Sequence, residues 1–525
     1  MTGRVDRAMS QAVREAYRRG EEEESMEPLV RVDAAGRPVG RIACGDSVIF
    51  YDIRGEREVE LTSAFVDKAF DHFPVDPDLD LRFATMIEYD RSLPVQVAFP
   101  PLEELRGTLC EAVSVAGLRQ IKVTETEKAI HLAYFLNGKR SDAFQGEERV
   151  AVESPREPLR EPEMRASDVA DALVNAVEDP GVALVIGNFP NVDVVGHSED
   201  RGAILLAVEA VDRGLGRVLA AAHRVGVTAV VTADHGTVES WLYPEGTVDT
   251  GHTASPVPAV VAFPGERGGA PCVLREGGSL ADVAPTVLEL LGLGRPPEMT
   301  GSSLLPDGFR GRPGSRVLLL ICDGWGIAEP GPGNLISQAR TPSMDALLAD
   351  NPHTTLRASG TAVGLPEGTV GNSEAGHLHI GAGRPVLSDR VRIQRAIDDR
   401  SFLANPAFVW AAEGAKRAGT RLHLLGIVSF FSSHGSVEYL FALMELARRA
   451  GIREVFIHAL LGRRGERPES GAHYLGLVED EAARGGVGSL ASVIGRHWAL
   501  DRERNWDRVE RTYRLLVDGL GRPVA

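Results

Sequence analysis

Short unbroken apolar runs, each closed by a polar or glycine-rich turn, alternate along this chain with longer segments whose apolar residues recur every three or four positions. The runs lie at residues 47–51, 182–187, 227–231, 257–263, 317–322, 422–428 and 455–459. Their length and continuity predict strands in a sheet covered on both faces. The helical period is carried by Ala8, Ala12, Ala16 and Tyr17 over 8–19, and by Ile204, Val208, Val211, Leu215 and Leu219. A further helix is predicted over 437–449, stopped by Gly451 as a C-cap, and a polar connection with a helix over 160–180. Strand and helix patterns alternate throughout, which predicts an α/β fold in every part of the chain.

The connections divide the pattern. Residues 93–101 are proline-rich and apolar and read as an interdomain hinge. Residues 306–315, Pro-Asp-Gly-Phe-Arg-Gly-Arg-Pro-Gly-Ser, read as a flexible linker by composition. A chain of 525 residues exceeds what one core serves, so two or more domains are expected. A net charge of −17 argues against an extended basic surface for nucleic acid. No apolar run reaches membrane-spanning length, and residues 1–20 are charged, without the apolar centre of a signal peptide. Glu21 to Glu24 read as a solvated loop. Cys44, Cys110, Cys272 and Cys322 form no CxxC pair, which fits a reducing cytoplasm.

Chemistry gathers where the predicted strands stop. One ends in Asp323, another in Asp193 with His197 four residues on, a third in Asp234-His235, and His252 precedes a fourth. Sites in α/β proteins collect at the carboxyl ends of strands. The Asp193/His197 spacing suits a shared metal. The stretch Gly371-Asn372-Ser373-Glu374-Ala375-Gly376-His377 sets a serine in a tight turn where its hydroxyl can face a cleft. A lone Asp-His pair or a lone Gly-Asn-Ser turn means little. A serine among two sets of Asp and His ligands reads as a two-metal phosphoryl-transfer site with the serine oxygen as nucleophile. Arg54 and Arg57, three apart after a strand, offer guanidinium forks for anions, and Arg502, Arg504 and Arg508 repeat the offer near the end of the chain.

These motifs resemble cofactor-independent (2,3-bisphosphoglycerate-independent) phosphoglycerate mutase, of the alkaline phosphatase superfamily, over nearly the whole chain but in rotated order. The family usually begins with the strand that ends here in Asp323-Gly324-Trp325-Gly326, so the chain looks like a circular permutant with 306–315 joining the usual ends. The resemblance implies an alkaline-phosphatase-like three-layer α/β domain at 100–388. It implies a smaller α/β phosphotransferase domain made of 1–92 and 391–525, with hinges near 93–100 and 388–391. Asp193, His197 and His252 would hold one divalent metal. Asp234, His235, Asp323 and Ser373 would hold the other. Manganese is the usual metal, with magnesium, cobalt and zinc as alternatives. Ser373 would be the nucleophile, and Lys128 would contact the transferring phosphoryl group. His434, Arg464, Arg502, Arg508, Arg54 and Arg57 would bind a small phosphorylated carboxylic acid. The implied reaction interconverts 3- and 2-phosphoglycerate through a phosphoserine, in a cytoplasmic monomer.

The chain departs from the family on the acceptor side. Phe430-Phe431-Ser432 follows Ser429 where the family shows Asp-Gly-Gly. Gly462-Arg463-Arg464-Gly465 stands for Asp-Gly-Arg-Asp, which removes a carboxylate that contacts the glycerate hydroxyls. Asp52-Ile53-Arg54 stands for Asn-Phe-Arg, and Asp52 or Glu466 is a candidate replacement for the lost carboxylate. These changes leave open a phosphoryl or phosphonyl transferase acting on a related small acid in secondary metabolism, or a phosphohydrolase.

Overall fold

The computed structural model describes all residues except 1–6, 103, 244, 266–272, 313, 431–433 and 463–468. The chain divides into two compact units, one formed by Met1–Pro101 with Arg392–Ala525 and the other by Leu102–Val391. Each is built on an eight-stranded mixed sheet with helices packed on it, so both are α/β.

In the discontinuous unit the strands lie in the order Arg522–Val524, Leu29–Arg31, Ser489–Gly495, Val455–Leu461, Leu422–Ile427, Ser47–Phe50, Arg82–Ile87, Gln96–Phe99. The six from Ser489–Gly495 to Gln96–Phe99 run parallel, and Leu29–Arg31 is antiparallel to its neighbour Ser489–Gly495. Successive side chains of a strand face opposite ways. Ile49 and Tyr51 accordingly enter one core cluster, while Val48 and Phe50 enter the other. The unbroken apolar run at 47–51 is therefore the signature of a strand with a core on each side. The proline-rich stretch at 93–101 is more than a connection: Gln96–Phe99 forms the edge strand, beside Arg82–Ile87. Prolines flanking the strand, and an edge position that leaves half its backbone groups unpaired, hid it from the pattern.

In the continuous unit the order is Gly278–Ser279, His353–Arg357, Val257–Ala262, Thr228–Thr232, Val317–Cys322, Val182–Phe189, Arg119–Glu125, Glu147–Val152. The five strands from Thr228–Thr232 to Glu147–Val152 are mutually parallel. Val317–Cys322 lies at their centre and is buried at every position. Its register sets Cys322 beside Phe189 and Ile321 beside Thr232. Four of the parallel strands thus end at one edge, and the residues that follow them must converge there. Residues 309 and 311 of the segment 306–315 are more fixed than its composition suggests. Phe309 packs its ring on Phe263, and a Cβ at Gly311 would lie 1.9 Å from the Glu289 carbonyl oxygen, so only glycine fits there.

Candidate metal centre

Loops at the carboxyl edge of four of the parallel strands deliver the polar groups. After Arg119–Glu125 a single 3-10 turn carries Lys128. After Val182–Phe189 the short helix Asn191–Gly196 carries Asp193, with His197 at its end. Asp234-His235 follows Thr228–Thr232, and Asp323 follows Val317–Cys322. Gly324 has φ +82°, and a Cβ on it would lie 2.8 Å from the Asp193 backbone nitrogen, so glycine lets the two loops close up. The Thr253 N–H donates to the Gly236 carbonyl at 3.0 Å, which ties His252 to the Asp234-His235 turn. Ser373 opens the helix Ser373–Ala382, whose N-cap Asn372 accepts the Ala375 N–H at 2.8 Å. The helix seats closely because residue 376 is glycine: a Cβ there would lie 2.6 Å from the Asp234 Cβ.

The Ser373 hydroxyl is 2.6 Å from Lys128 Nζ and 3.0 Å from His235 Nε2, with Asp323 Oδ1 at 3.4 Å. Lys128 Nζ also donates to Asp193 Oδ2 at 2.6 Å and to Asp323 Oδ1 at 3.0 Å. Asp193 Oδ1 faces His252 Nε2 at 3.0 Å and His197 Nε2 at 3.4 Å. His235 Nε2 lies 3.4 Å from Asp234 Oδ2 and 3.6 Å from both Asp323 Oδ1 and Asp193 Oδ1. Burial by itself would lower the Lys128 pKa, but Asp323, Asp193 and Asp234 outweigh it and hold the ammonium protonated far above the neutral range. Burial pushes Asp323 up, the neighbouring Asp234 pushes it the same way, and Lys128 opposes both. Burial works against ionisation of Asp193, but the imidazoles of His197 and His252 that face it and the charge on Lys128 outweigh burial and hold its pKa well below the usual carboxylate range.

The donor set fits divalent metal. His197 Nδ1 faces the Thr250 carbonyl at 2.8 Å, and His252 Nδ1 faces the Gly371 carbonyl at 2.9 Å. A carbonyl can only accept, so each Nδ1 carries the proton, and once a cation is bound each ring, then neutral, would turn the lone pair of Nε2 inward. Those two nitrogens are 3.1 Å apart, so without a cation they face each other by sharing a proton, and a cation beside Asp193 would take that proton's place. Asp234 Oδ2 is buried and makes no hydrogen bond, although imidazole nitrogens of His377 and His235 lie 3.3 and 3.4 Å away. Asp193, His197 and His252 bring ligand atoms within 4.8 Å of one another, as do Asp193, His235 and Asp323. Every residue expected from the sequence at this site is present at it: Ser373, Lys128, Asp193, His197, His252, Asp234, His235 and Asp323.

Two further residues belong to the site and carry no separable sequence signal. Asn188, at the end of a strand, donates through Nδ2 to Asp323 Oδ2 at 2.9 Å and sits 3.0 Å from His377 Nε2. His377 Nδ1 faces the Ser373 carbonyl at 2.9 Å. With both ring nitrogens engaged, His377 supports the helix that Ser373 opens, and Asn188 orients Asp323.

In the other unit, Arg54 and Arg502 share Glu56, at 3.1 and 2.8 Å. Arg57 donates to the Leu500 carbonyl at 3.2 Å, and its pKa is lowered by burial and by the like charges of Arg502, Arg54 and Arg496. Arg508 is held on Asp501 at 3.2 Å. The structure therefore brings Arg54, Arg57 and Arg502 into one cationic patch. His434 is buried, with Nδ1 3.4 Å from Glu58 Oε1. Arg464 lies outside the described residues, as do Gly465, Glu466, Phe431 and Cys272.

A family model described as the metalloenzyme superfamily matches residues 33–295, half of the chain. A second, described as the N-terminus of BPG-independent PGAM (iPGM_N), matches residues 393–524. A region described as an N-terminus thus follows the metalloenzyme region here, which is the rotated order. The 2,3-bisphosphoglycerate-independent phosphoglycerate mutase of Thermomicrobium roseum is 44% identical over 309 residues, 58% of this chain and 59% of that protein. The protein of the same name from Moorella thermoacetica is 50% identical over 205 residues, 39% of this chain and 40% of its own. A crystal structure of Leishmania mexicana phosphoglycerate mutase at low cobalt concentration aligns at 31% identity over 52% of this chain and 53% of that one, with a TM-score of 0.38. The chain spans between about two fifths and three fifths of the length of these curated relatives. On the match to half of its length, and with an Asp/His ligand set converging at the strand ends, the chain belongs to the metalloenzyme superfamily.

Proposed function

We propose that the chain is a metal-dependent phosphotransferase that interconverts 3- and 2-phosphoglycerate through a phosphoserine at Ser373, without added bisphosphoglycerate. The observation that carries this is the setting of the Ser373 oxygen, 2.6 Å from Lys128 Nζ and 3.0 Å from His235 Nε2, at the first residue of a ten-residue helix. Asp193, His197 and His252 would hold one ion, and Asp234, His235, Asp323 and Ser373 the other; the mixed Asp/His ligand set suits manganese or zinc better than calcium, and the family resemblance points to manganese. Bound there, divalent cations supply the charge that favours an ionised serine oxygen and a phosphoryl group in flight. The rest is done by the chain. The helix N-terminus adds its unsatisfied N–H groups and partial positive charge at the nucleophile. Lys128 Nζ, already on Ser373, is placed to follow the phosphoryl oxygens as their charge spreads.

Arg54, Arg57, Arg502 and Arg508, with His434 and Arg464, would bind the carboxylate and phosphate of the acid. Glycerate would stay bound and turn, and its other hydroxyl would take the group back from Ser373. Water must be excluded meanwhile, or the phosphoserine hydrolyses. On this reading residues 102–391 form the metal and nucleophile domain, and residues 1–101 with 392–525 form the substrate domain. The family resemblance also supports a cytoplasmic monomer; among the described residues no helix is long and apolar enough to cross a membrane.

The test is purified protein with Mn²⁺ and 3-phosphoglycerate, following 2-phosphoglycerate and free phosphate together. Formation of 2-phosphoglycerate without phosphate is expected. Phosphate alone would make the protein a hydrolase, and neither product would mean a different donor or acceptor.

A further inference from the structure

The discontinuous unit holds a second cluster of ligand-type side chains, apart from the centre just described. Asp52, Glu58 and His434 each present a ligand atom within 4.8 Å of the other two, and all three are buried. Asp52 follows the strand Ser47–Phe50, and Glu58 immediately precedes the helix Val59–Val66. The His434 carbonyl accepts the Ile53 N–H at 2.7 Å, which holds its loop to that strand end.

The hydrogen bonding is incomplete in a particular way. Asp52 Oδ1 accepts the Ile427 N–H at 2.8 Å, but Asp52 Oδ2 has no partner. Glu58 Oε2 has none either. Two carboxylate oxygens on side chains with no measurable exposure are therefore left unsatisfied, a costly arrangement if nothing binds them. The nearest phenol does not help, because Tyr89 Oη donates to the backbone carbonyls of Phe50 and Asp52 instead. No arginine or lysine pairs with Asp52 or Glu58 among the described residues: Arg54 turns to Glu56, and Arg57 to Leu500.

The one contact inside the cluster has the spacing of ligands rather than of a hydrogen bond. His434 Nδ1 and Glu58 Oε1 are 3.4 Å apart, beyond the range of a good N–H···O bond. Two ligands held at about 2.1 Å on a tetrahedral ion stand roughly 3.4 Å from each other. A Cβ at Gly426 would lie 2.7 Å from Asp52 Oδ1, so glycine there leaves room for the Asp52 carboxylate.

We propose that Asp52, Glu58 and His434 form a third cation site, taking a divalent ion of the zinc, manganese or cobalt kind. Two carboxylates and one imidazole make a net charge of −2 that such an ion neutralises. The ion would pin the His434 loop to the strand end from which Arg54 and Arg57 project. His434 Nδ1 serves the ion and leaves the other ring nitrogen for other contacts. The site does not depend on the proposed reaction.

The test is metal stoichiometry on the full chain. Protein stripped with chelator is dialysed against Co²⁺ alone, and bound metal is counted by mass spectrometry beside its visible spectrum. The D52N/E58Q double variant, near-isosteric with the original, should hold one ion fewer than the wild type with an unchanged thermal transition when metal is absent. A second variant, D193N/H252N/D234N/H235N, removes ligands from both ion sites of the other centre and should still bind Co²⁺ with a spectrum that shows a nitrogen ligand. Equal metal content in wild type and D52N/E58Q would overturn the proposal and leave Asp52 and Glu58 as a proton-sharing pair. Should D52N/E58Q fail to fold, absence of Co²⁺ from D193N/H252N/D234N/H235N would overturn it alone. Failure of the two-metal reading would show differently, as a count in D193N/H252N/D234N/H235N unchanged from the wild type.

Discussion

Lys128 shows how much a single residue decides at this site. Its ammonium touches Asp193, Asp323 and the Ser373 hydroxyl, and it is 4% exposed. Removing one partner of a buried charge cluster leaves the others uncompensated, at a cost of about 3–5 kcal/mol. K128M should therefore lower the melting temperature in chelator and recover much of it when Mn²⁺ is added, as calorimetry would show. The same change should cut phosphoryl transfer by roughly 10²–10³-fold, the usual cost of losing one electrostatic stabiliser of a developing charge. S373A separates chemistry from assembly. It should abolish transfer while the metal content, read by mass spectrometry, stays close to that of the wild type. Loss of metal from S373A with transfer retained would put the nucleophile elsewhere.

At the scale of elements, the helix Ser373–Ala382 owes its place to a missing side chain. A Cβ at position 376 would meet the Asp234 side chain and carbonyl at 2.6 Å. G376A should cost about 1–3 kcal/mol by overpacking and shift the nucleophile off its partners, seen as lost activity beyond the loss of stability. Glu125, at the end of the strand Arg119–Glu125, gives a pH signature. Burial raises its pKa to about 6, against the opposing bond from the Arg165 N–H. The native state then keeps a proton that the unfolded chain releases near pH 4.5. Stability should therefore fall as pH rises through that window and level off above about 6, a loss of about 1–2 kcal/mol. E125Q should remove this slope in denaturant titrations from pH 4 to 7.

The elements that carry the site were also the ones most legible in the sequence. Central parallel strands are buried on both faces, so Val317–Cys322 and Val182–Phe189 appear as continuous apolar runs, and Asp323 and Asp193 follow directly. Edge strands leave no such trace. Glu147–Val152 is half polar, and Gln96–Phe99 is flanked by prolines. Asn188 and His377 were visible as residues but not as partners, because what joins them is the register of two strands and one helix. The Asp52, Glu58 and His434 cluster was equally hidden, since Glu58 and His434 are 376 positions apart in the chain.

For the whole molecule, chain order and spatial order come apart. The centre draws on residues from 128 to 373, and the match described as an N-terminus falls at 393–524. If packing rather than chain order assembles the site, a chain opened within 306–315 and joined from Ala525 to Met1 by a short glycine linker should fold and bind the same metal complement. Circular dichroism and metal counting would check this, and a metal-free or unfolded product would tie assembly to the present order. Closing the two ends need not strain the fold, because the helix Ala8–Arg18 already packs against the strand Arg522–Val524.

The central claim is that a phosphoryl group rests on Ser373. Its most direct measurement is mass spectrometry of peptides from acid-quenched enzyme, taken milliseconds after mixing the Mn²⁺-loaded protein with 3-phosphoglycerate. A phosphorylated peptide carrying Ser373, with no phosphate on the corresponding S373A peptide and none when free glycerate replaces 3-phosphoglycerate, is the predicted result. Turnover with no phosphate on that peptide at any time point would contradict it.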